Sequence, residues 1–197
     1  MGIIRYFTIP REPDFIIGGA DNPYLKRWYI TPWSGWFRVD KEGNHIPSSA
    51  LPKWKRFVRA MPNIYLHQIL RDDDDRALHD HPWANCSIIL KGSYIEHIPS
   101  EPFGYSGGTW RYRRRWSVTF RRATALHRLE LLTNCWRWRW KGARRVCELQ
   151  KIVPVWSLFI TGPKVREWGF ACPKGWVIWT KFVNLKNPGE VGSGCGD

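Results

Sequence analysis

Apolar and polar residues alternate along most of the chain from Asn63 onward, which is the pattern of half-buried β-strands. The segments with this pattern are NIYLHQIL, CSIILKG, SYIEHI, WRYRRRWSVTF, ALHRLELL, CWRWRW, RRVCELQ, VPVWSLFITG and WVIWTKFV. Roughly ten short strands separated by turn signals predict an all-β sandwich or barrel and disfavour a parallel α/β sheet.

The chain before Asn63 has a weaker pattern. Residues 1–24 predict an arm with at most one short strand, and Tyr24–Thr31 predicts an edge strand that ends at Pro32. Trp33–Phe37, followed by a Gly-Asn turn signal, predicts a hairpin. Ser49–Met61 carries aromatic and aliphatic residues at helical spacing and predicts a short basic helix that ends before Pro62.

Composition adds two constraints. The 197 residues include 14 Trp and carry a formal net charge of +14. Many aromatic anchors favour a packed domain, and the charge favours an acidic partner such as a nucleotide, a nucleic acid or a phosphorylated metabolite. The alternative is that the charge only keeps an aromatic-rich protein in solution.

No segment has the length and apolar character of a membrane span or a signal peptide, so we expect a cytoplasmic protein. In that compartment the five cysteines should stay reduced. The CWRWRW and RRVCELQ segments predict a hairpin whose register could place Cys135 opposite Cys147.

The richest chemistry lies in the segment RALHDHPW, which contains His79 and His81. Residues two apart on a strand point to one face, so the two imidazoles can converge on one metal ion. His127, which opens the apolar run of ALHRLELL, is the best candidate for a third ligand. Imidazole ligands suit divalent first-row metals, and three of them leave coordination positions open. Ordinary strand histidines are the alternative.

The histidines and the glycine after them resemble a known pattern. His79, His81 and Gly92 match the first motif of the cupins, with Asn85 where that motif has Glu, and His127 matches the histidine of the second motif. The resemblance covers about residues 63 to 170. The segments PYLKRWYITP, YLHQILRDDDDRALHDHPW, FITGPKVREWGF and GWVIWTKF also resemble small cupin-like proteins of phages and prophages.

This resemblance implies a cupin-type jelly roll, or double-stranded β-helix, with an N-terminal arm and short helix. The expected organisation is an arm, edge strands and helix over 1–62, the jelly roll over 63–183 and a flexible tail over 184–197. A homodimer is expected by analogy.

The same resemblance implies a function. We expect a mononuclear non-haem Fe(II) oxygenase, with Zn, Ni or Mn as other metals, acting on a small or nucleotide-like anionic substrate. One alternative is a non-catalytic basic protein that binds nucleic acid or a protein on a cupin scaffold. Another is a metal-free cupin that modifies a sugar nucleotide.

Four further residues are candidates for the same cavity. His67 and Asn85 are expected to line it, although His67 also fits a hydrogen-bonded interior position. Glu96 and Tyr94 share one strand face and are candidate catalytic groups, with Glu96 as the base. The simpler interpretation of Glu96 is an exposed strand charge. The acidic run Asp72–Asp75 lacks the Gly and distal Glu of a calcium loop and predicts a solvated turn.

Most of the positive charge lies between Arg111 and Lys151, which holds thirteen Lys or Arg and two acidic residues. Arginines beside tryptophans suit a surface for phosphates and bases, but alternating Trp and Arg also fit a sheet with one buried face. The candidate anion-binding residues are Arg121, Arg122, Arg137, Arg139, Arg144 and Arg145.

Overall fold

The computed structural model describes residues 11–18, 21–36, 46, 48–73, 77–100, 107–142, 144–184 and 191–196. Its strands are β1 (Phe15–Ile17), β2 (Leu25–Tyr29), β3 (Asn63–Ile69), β4 (Leu78–His79), β5 (Asn85–Lys91), β6 (Tyr94–Pro99), β7 (Gly107–Arg113), β8 (Val118–Arg121), β9 (Arg128–Leu131), β10 (Thr133–Lys141), β11 (Arg144–Ile152), β12 (Val155–Thr161), β13 (Gly169–Cys172) and β14 (Gly175–Ile178). The two helices are α1 (Lys53–Ala60) and α2 (Trp179–Phe182), and 3₁₀ turns cover Pro32–Gly35 and Ser48–Ala50.

Two antiparallel layers form the body of the fold. The first is a six-stranded sheet in the order β1-β2-β3-β12-β5-β8. The second consists of β14-β13-β4 and β7-β6-β9, joined where His79 and His127 form an antiparallel bridge. The strands β10 and β11 form a separate hairpin. The fold is therefore a jelly roll of the double-stranded β-helix type, and the all-β prediction is confirmed.

The main core lies between the two layers. Its buried residues come from β2, β3, β5 and β12 on one side and from β6 and β9 on the other: Leu25, Ile69, Ile89, Tyr94, Leu129, Leu131 and Val155. The strand β3 is buried at every second position, as the sequence pattern predicts. Each large aliphatic side chain that is fully buried stabilises the fold by roughly 1.5–3 kcal/mol, so these residues hold the layers together.

The turn from β5 to β6 requires a glycine. Gly92 has a φ of +82°, and a Cβ atom there would lie 2.8 Å from the carbonyl oxygen of Pro154. A side chain would meet both backbone strain and a collision with the adjacent segment. The glycine that the resemblance expects at position 92 is therefore required in this chain by its backbone conformation and by the close contact with Pro154.

The N-terminal predictions are partly correct. The strand β2 forms, but β1 pairs with it from outside, so β2 is not the edge of the sheet. Trp33 lies in a 3₁₀ turn instead of a hairpin strand. The rest of the predicted hairpin, including Gly43 and Asn44, lies outside the described residues. The predicted helix is present as α1 and begins after Pro52.

Two of the predicted strands are longer than the strands in the structure. The segment WRYRRRWSVTF is divided between β7 and β8 by a turn in which Trp116 has a φ of +67°. The segment WVIWTKFV leaves the sheet after Ile178 and continues as α2. Within the predicted tail, Val191 forms an antiparallel bridge with Val183.

Four of the five cysteines form disulfides, so the prediction of reduced cysteines is wrong for them. Cys135 is bonded to Cys147 across the β10–β11 hairpin, and Cys172 of β13 is bonded to Cys195. Cys86 is free. Neither described helix is long and apolar enough to cross a membrane.

Candidate metal centre

His79 and His127 are brought together by the backbone. The amide of His79 donates to the carbonyl of His127, and the amide of His127 donates to the carbonyl of His79, both at 2.9 Å. This reciprocal pair joins the two halves of the second sheet, so the ligand candidates lie at its centre. The regular strand β4 ends at His79, and His81 follows it outside the ladder.

The peptide between the histidines is anchored by Asp80, which is buried. Its carboxylate accepts hydrogen bonds from the amide of Gly169 at 2.8 Å and from the indole Nε1 of Trp176 at 3.0 Å. The guanidinium of Arg166 also donates to it. An aspartate with three donors fixes the bend on which both imidazoles depend, and nothing in its sequence spacing had marked Asp80 as important.

The three imidazoles converge. The Nε2 atoms of His81 and His127 lie 2.8 Å apart. One ligand atom from each of His79, His81 and His127 falls within 4.8 Å of the others. Two nitrogens that each bind a metal at about 2.1 Å are separated by about 3 Å at bond angles between 90° and tetrahedral. The separation of the His81 and His127 nitrogens therefore fits a shared first-row ion, and His79 lies close to them as the candidate third ligand.

Burial keeps two of these rings neutral. It lowers the pKa of His81 well below its usual value, and electrostatic interactions with His79 and Arg121 act in the same direction. Burial likewise lowers the pKa of His127, with Arg121 as the second cause. A neutral imidazole presents the lone pair that a metal needs, so proton competition at these two rings is weak near neutral pH.

Glu96 lies behind His127 and is only 1% exposed, so the interpretation of an exposed strand charge is wrong. Arg121 donates to its Oε1 atom, and Arg113 donates to Oε2 at 2.7 Å. The same Oε1 lies 3.5 Å from His127 Nδ1, a buried atom without a hydrogen-bond partner among the described residues. With two arginines on its oxygens, Glu96 is suited to orienting His127 and not to proton transfer.

A cavity of about 300 Å³ opens beside the histidines, and we call it the histidine cavity. Its lining consists of Phe15, Ile17, Tyr24, Leu25, Arg27, His67, Ile69, His79, His81, Pro82, Trp83, Ser87, Tyr94, Arg121, His127, Leu129, Ser157, Phe159 and Trp168. Tyr94 and His67 are among these lining residues, and His67 also accepts a hydrogen bond from Arg27. Arg27 is a charged lining residue that sequence reasoning missed.

Asn85 is placed elsewhere. It lines a separate open cleft with Phe120, Arg122 and Gly162, and both polar atoms of its buried amide lack partners among the described residues. Ser87, two residues further along the same face of β5, is the residue of that strand that lines the histidine cavity. The expectation that residue 85 lies next to the metal therefore does not match this geometry.

The candidate anion-binding arginines separate into two groups. Arg121 is buried in the histidine cavity. Arg122 is exposed beside the second cleft, and Arg137, Arg139 and Arg144 are exposed on the β10–β11 hairpin. Arg145 lies on β11, and its side chain is outside the described part of the structure.

Two residues of the acidic run are structural. Asp72 Oδ1 accepts the amide of Leu131 at 2.5 Å, and Asp73 Oδ2 accepts the amide of Leu129 at 2.7 Å. The same Asp73 oxygen lies 3.7 Å from His79 Nδ1. The prediction of a solvated turn is wrong for these two, while Asp74 and Asp75 lie outside the described residues.

No protein-family model matches the chain, and no curated protein is significantly similar. Among solved structures, a cupin-like protein from Thermotoga maritima is 11% identical over 79% of this chain and 80% of its own, with a TM-score of 0.38. An RmlC-like cupin from Ralstonia eutropha is 12% identical over 84% and 74%, with a TM-score of 0.38. A conserved protein with a double-stranded β-helix domain from Klebsiella pneumoniae is 11% identical over 57% and 71%, with a TM-score of 0.35.

Proposed function

We propose that this protein is a metal-dependent enzyme that holds one divalent ion through His79, His81 and His127. Its substrate is a small anion bound in the histidine cavity. The observation that carries this proposal is the convergence of three imidazoles on the wall of a cavity that is lined by two arginines and, among the described residues, by no carboxylate.

The metal we propose is Fe(II). Three neutral nitrogen ligands suit divalent iron and leave the charge of the ion uncompensated and part of its coordination sphere open. When bound, such an ion supplies dioxygen activation beside the substrate, which makes an oxygenase the proposed reaction class.

The residues around the site have separable tasks. Arg121 and Arg27 make the cavity attractive to an anion, and Trp83 and Trp168 contribute apolar walls that limit water. Burial raises the pKa of the Tyr94 hydroxyl, so this group keeps its proton and can donate a hydrogen bond into the cavity. Glu96 positions His127 through the side facing away from the metal.

The first test is metal content. The full-length protein, purified without chelator and reconstituted anaerobically with Fe(II), should bind close to one equivalent by elemental analysis. His79→Ala, His81→Ala and His127→Ala should each lose it, whereas His97→Ala, which removes a histidine paired with Glu130 outside the cavity, should retain it. Retention of full stoichiometry and affinity by any one triad variant removes that residue from the ligand set, and retention by all three removes the proposal.

The second test is the reaction class. Oxygen consumption by the Fe(II) protein should rise when a small carboxylate that binds the cavity is added, and Zn(II) in the same site should give none. Tight metal binding together with oxygen uptake that no bound carboxylate stimulates would leave a metal protein and eliminate the oxygenase.

A second candidate function rests on the outer surface. The hairpin arginines Arg137, Arg139 and Arg144 are exposed, and so are Trp110, Trp116 and Phe120 on and between β7 and β8. Exposed arginines and exposed aromatic rings are the features by which proteins bind single-stranded nucleic acid. The interaction should weaken steeply with salt and persist without metal. Absence of binding to oligonucleotides at low salt, or equal binding by an Arg137→Gln/Arg139→Gln/Arg144→Gln variant, would exclude this surface.

A further inference from the structure

Arg27 is held in a defined orientation at one end of the histidine cavity. Its register partner across β2 and β3 is His67, and Arg27 Nε donates to His67 Nε2 at 2.9 Å. The guanidinium carbon also lies 4.7 Å from the ring centroid of Tyr65. A hydrogen bond at Nε and a stacked ring together fix the plane of the guanidinium group.

His67 provides the acceptor for that hydrogen bond because it is neutral. Burial lowers the pKa of His67 well below its usual value, and the neighbouring charge of Arg27 adds to this effect. A guanidinium only donates, so the Nε2 atom of His67 must be the unprotonated nitrogen. The imidazole ring also stacks on Phe159, with centroids 4.9 Å apart.

Phe159 contacts both the partner of this arginine and one of the metal candidates. Its ring centroid is 4.9 Å from that of His67 and 5.8 Å from that of His81. Arg27, Phe159 and the three histidines all line the same cavity. A ligand anchored at Arg27 can therefore contact Phe159 and the histidines within one cavity.

The charge and shape of the cavity restrict the ligand further. The described lining holds two guanidinium groups and no carboxylate, and most of the remaining wall is aromatic or aliphatic. Behind the lining, Glu96 is paired with Arg113 and Arg121, and Asp73 lies beside His79. The volume of about 300 Å³ lies at the lower end of the roughly 300–1,000 Å³ range of ligand pockets, which favours a small ligand.

We propose that the histidine cavity selects a small monocarboxylate with a flat apolar body, whose carboxylate binds Arg27 and whose opposite end reaches His79, His81 and His127. Arg27 is the specificity-determining residue, and His67 is the residue that positions it. The contact of the ligand with the three histidines rests on the proposed function. The carboxylate site at Arg27 does not require the metal.

The test uses the full chain freed of metal by a chelator and two probes of nearly equal shape, trans-cinnamate and trans-cinnamamide. Binding is followed by calorimetry and by competition between the two probes. Wild-type protein should bind cinnamate at least tenfold more tightly than the neutral amide. Arg27→Gln should remove this preference while binding of the amide stays unchanged.

Matched variants separate a role in recognition from a role in folding. Lys26→Gln removes the same charge from the neighbouring position of β2, outside the cavity lining, and should keep the tenfold preference. Arg27→Lys keeps the charge but not the planar fork and should retain part of the preference. His67→Phe should reduce the preference for cinnamate, and His67→Gln, which restores an acceptor, should recover it.

Each outcome decides the proposal. It is overturned by equal affinity for the two probes, by an unchanged preference in Arg27→Gln or by failure of acetate, hexanoate, benzoate and cinnamate alike to bind wild-type protein. If Arg27→Gln does not fold, the partial preference of Arg27→Lys decides. If the protein binds metal but no carboxylate, this inference alone is overturned. If it binds a carboxylate through Arg27 but no metal, the proposed function alone is overturned.

Discussion

Glu96 and His127 face each other across two neighbouring strands, with Glu96 Oε1 3.5 Å from His127 Nδ1. Leu129, two residues after His127, is the register partner of Glu96 on β6 and β9. A proton on Nδ1 facing this carboxylate would leave Nε2, the atom that faces His81, free to bind a metal. The proposed metal site therefore gives Glu96 a role in favouring this tautomer of His127.

Removal of the Glu96 charge should weaken metal binding. Glu96→Gln loses the anion that orients His127, and loss of such a partner costs about 10–100-fold in metal affinity. The change also leaves Arg121 buried without its counterion, so the free energy of unfolding should fall by about 3–5 kcal/mol. Metal titration and urea denaturation measure the two effects.

Glu130→Gln is the matched control, because Glu130 pairs with His97 and its side chain is 42% exposed. A surface pair contributes about 0–1 kcal/mol, so both measurements should stay near the wild-type values. Wild-type metal affinity in a folded Glu96→Gln variant would show that the carboxylate does not act on His127.

The stability of the metal-free protein should depend on pH through His67. Its folded pKa is lowered by burial, whereas the unfolded chain titrates near a pKa of about 6.5. The unfolded state therefore binds a proton first as the pH falls, and the free energy of unfolding decreases below about pH 6.5 by up to about 1.4 kcal/mol per pH unit for this one group. His67→Gln should show a shallower slope between pH 7 and pH 5 by that amount. Equal slopes would mean that His67 accepts its proton in the folded state.

The position of Asn85 leads to a prediction about neighbouring sites on one strand face. Asn85→Glu should leave metal affinity within about twofold of wild type, because residue 85 lines the second cleft and not the histidine cavity. Ser87→Asp places a negative charge in the cavity itself and should tighten metal binding, since opposite charges attract strongly at low dielectric. If Asn85→Glu binds the metal more tightly than wild type and Ser87→Asp does not, the alignment of residue 85 with the motif position would be supported again.

The Cys172–Cys195 disulfide should stabilise the second layer. It ties residues 191–196 to β13, the strand that pairs with β4 at His79. A Cys172→Ala/Cys195→Ala variant should lose about 2–4 kcal/mol of stability and become sensitive to proteolysis between Val183 and Gly196. The Cys135→Ala/Cys147→Ala variant is the control, because its hairpin does not pair with either layer. Proteolysis within this region at the wild-type rate would contradict the prediction.

The sequence predicts best what depends on local periodicity. The alternation in β3, β5 and β12 is visible because each of these strands has one face against the core. The His79–Asp80–His81 spacing also predicted that the two imidazoles lie close together, and their ring centroids are 5.4 Å apart. The cause of this proximity differs from the predicted one. The strand β4 ends at His79, and the bend held by Asp80 sets the position of His81.

What the sequence did not reveal depends on tertiary partners. Arg27 was not singled out within the predicted strand Tyr24–Thr31, and only the pairing of β2 with β3 places it against His67. Trp116 has no signature of a turn residue, so the division between β7 and β8 was invisible. No sequence motif relates the segments that carry Cys172 and Cys195, so the sequence did not indicate this disulfide. The prediction of reduced cysteines followed from the expected compartment instead.

The bridge between His79 and His127 also orders the events of assembly. Neither half of the second sheet contains the complete ligand set, because His79 belongs to the β4 side and His127 precedes β9. The site comes into existence only when these distant segments close on each other. The rate of metal uptake during refolding would therefore report the rate at which the two halves of the second sheet pair. A chain in which one half is misfolded would fail to bind the ion.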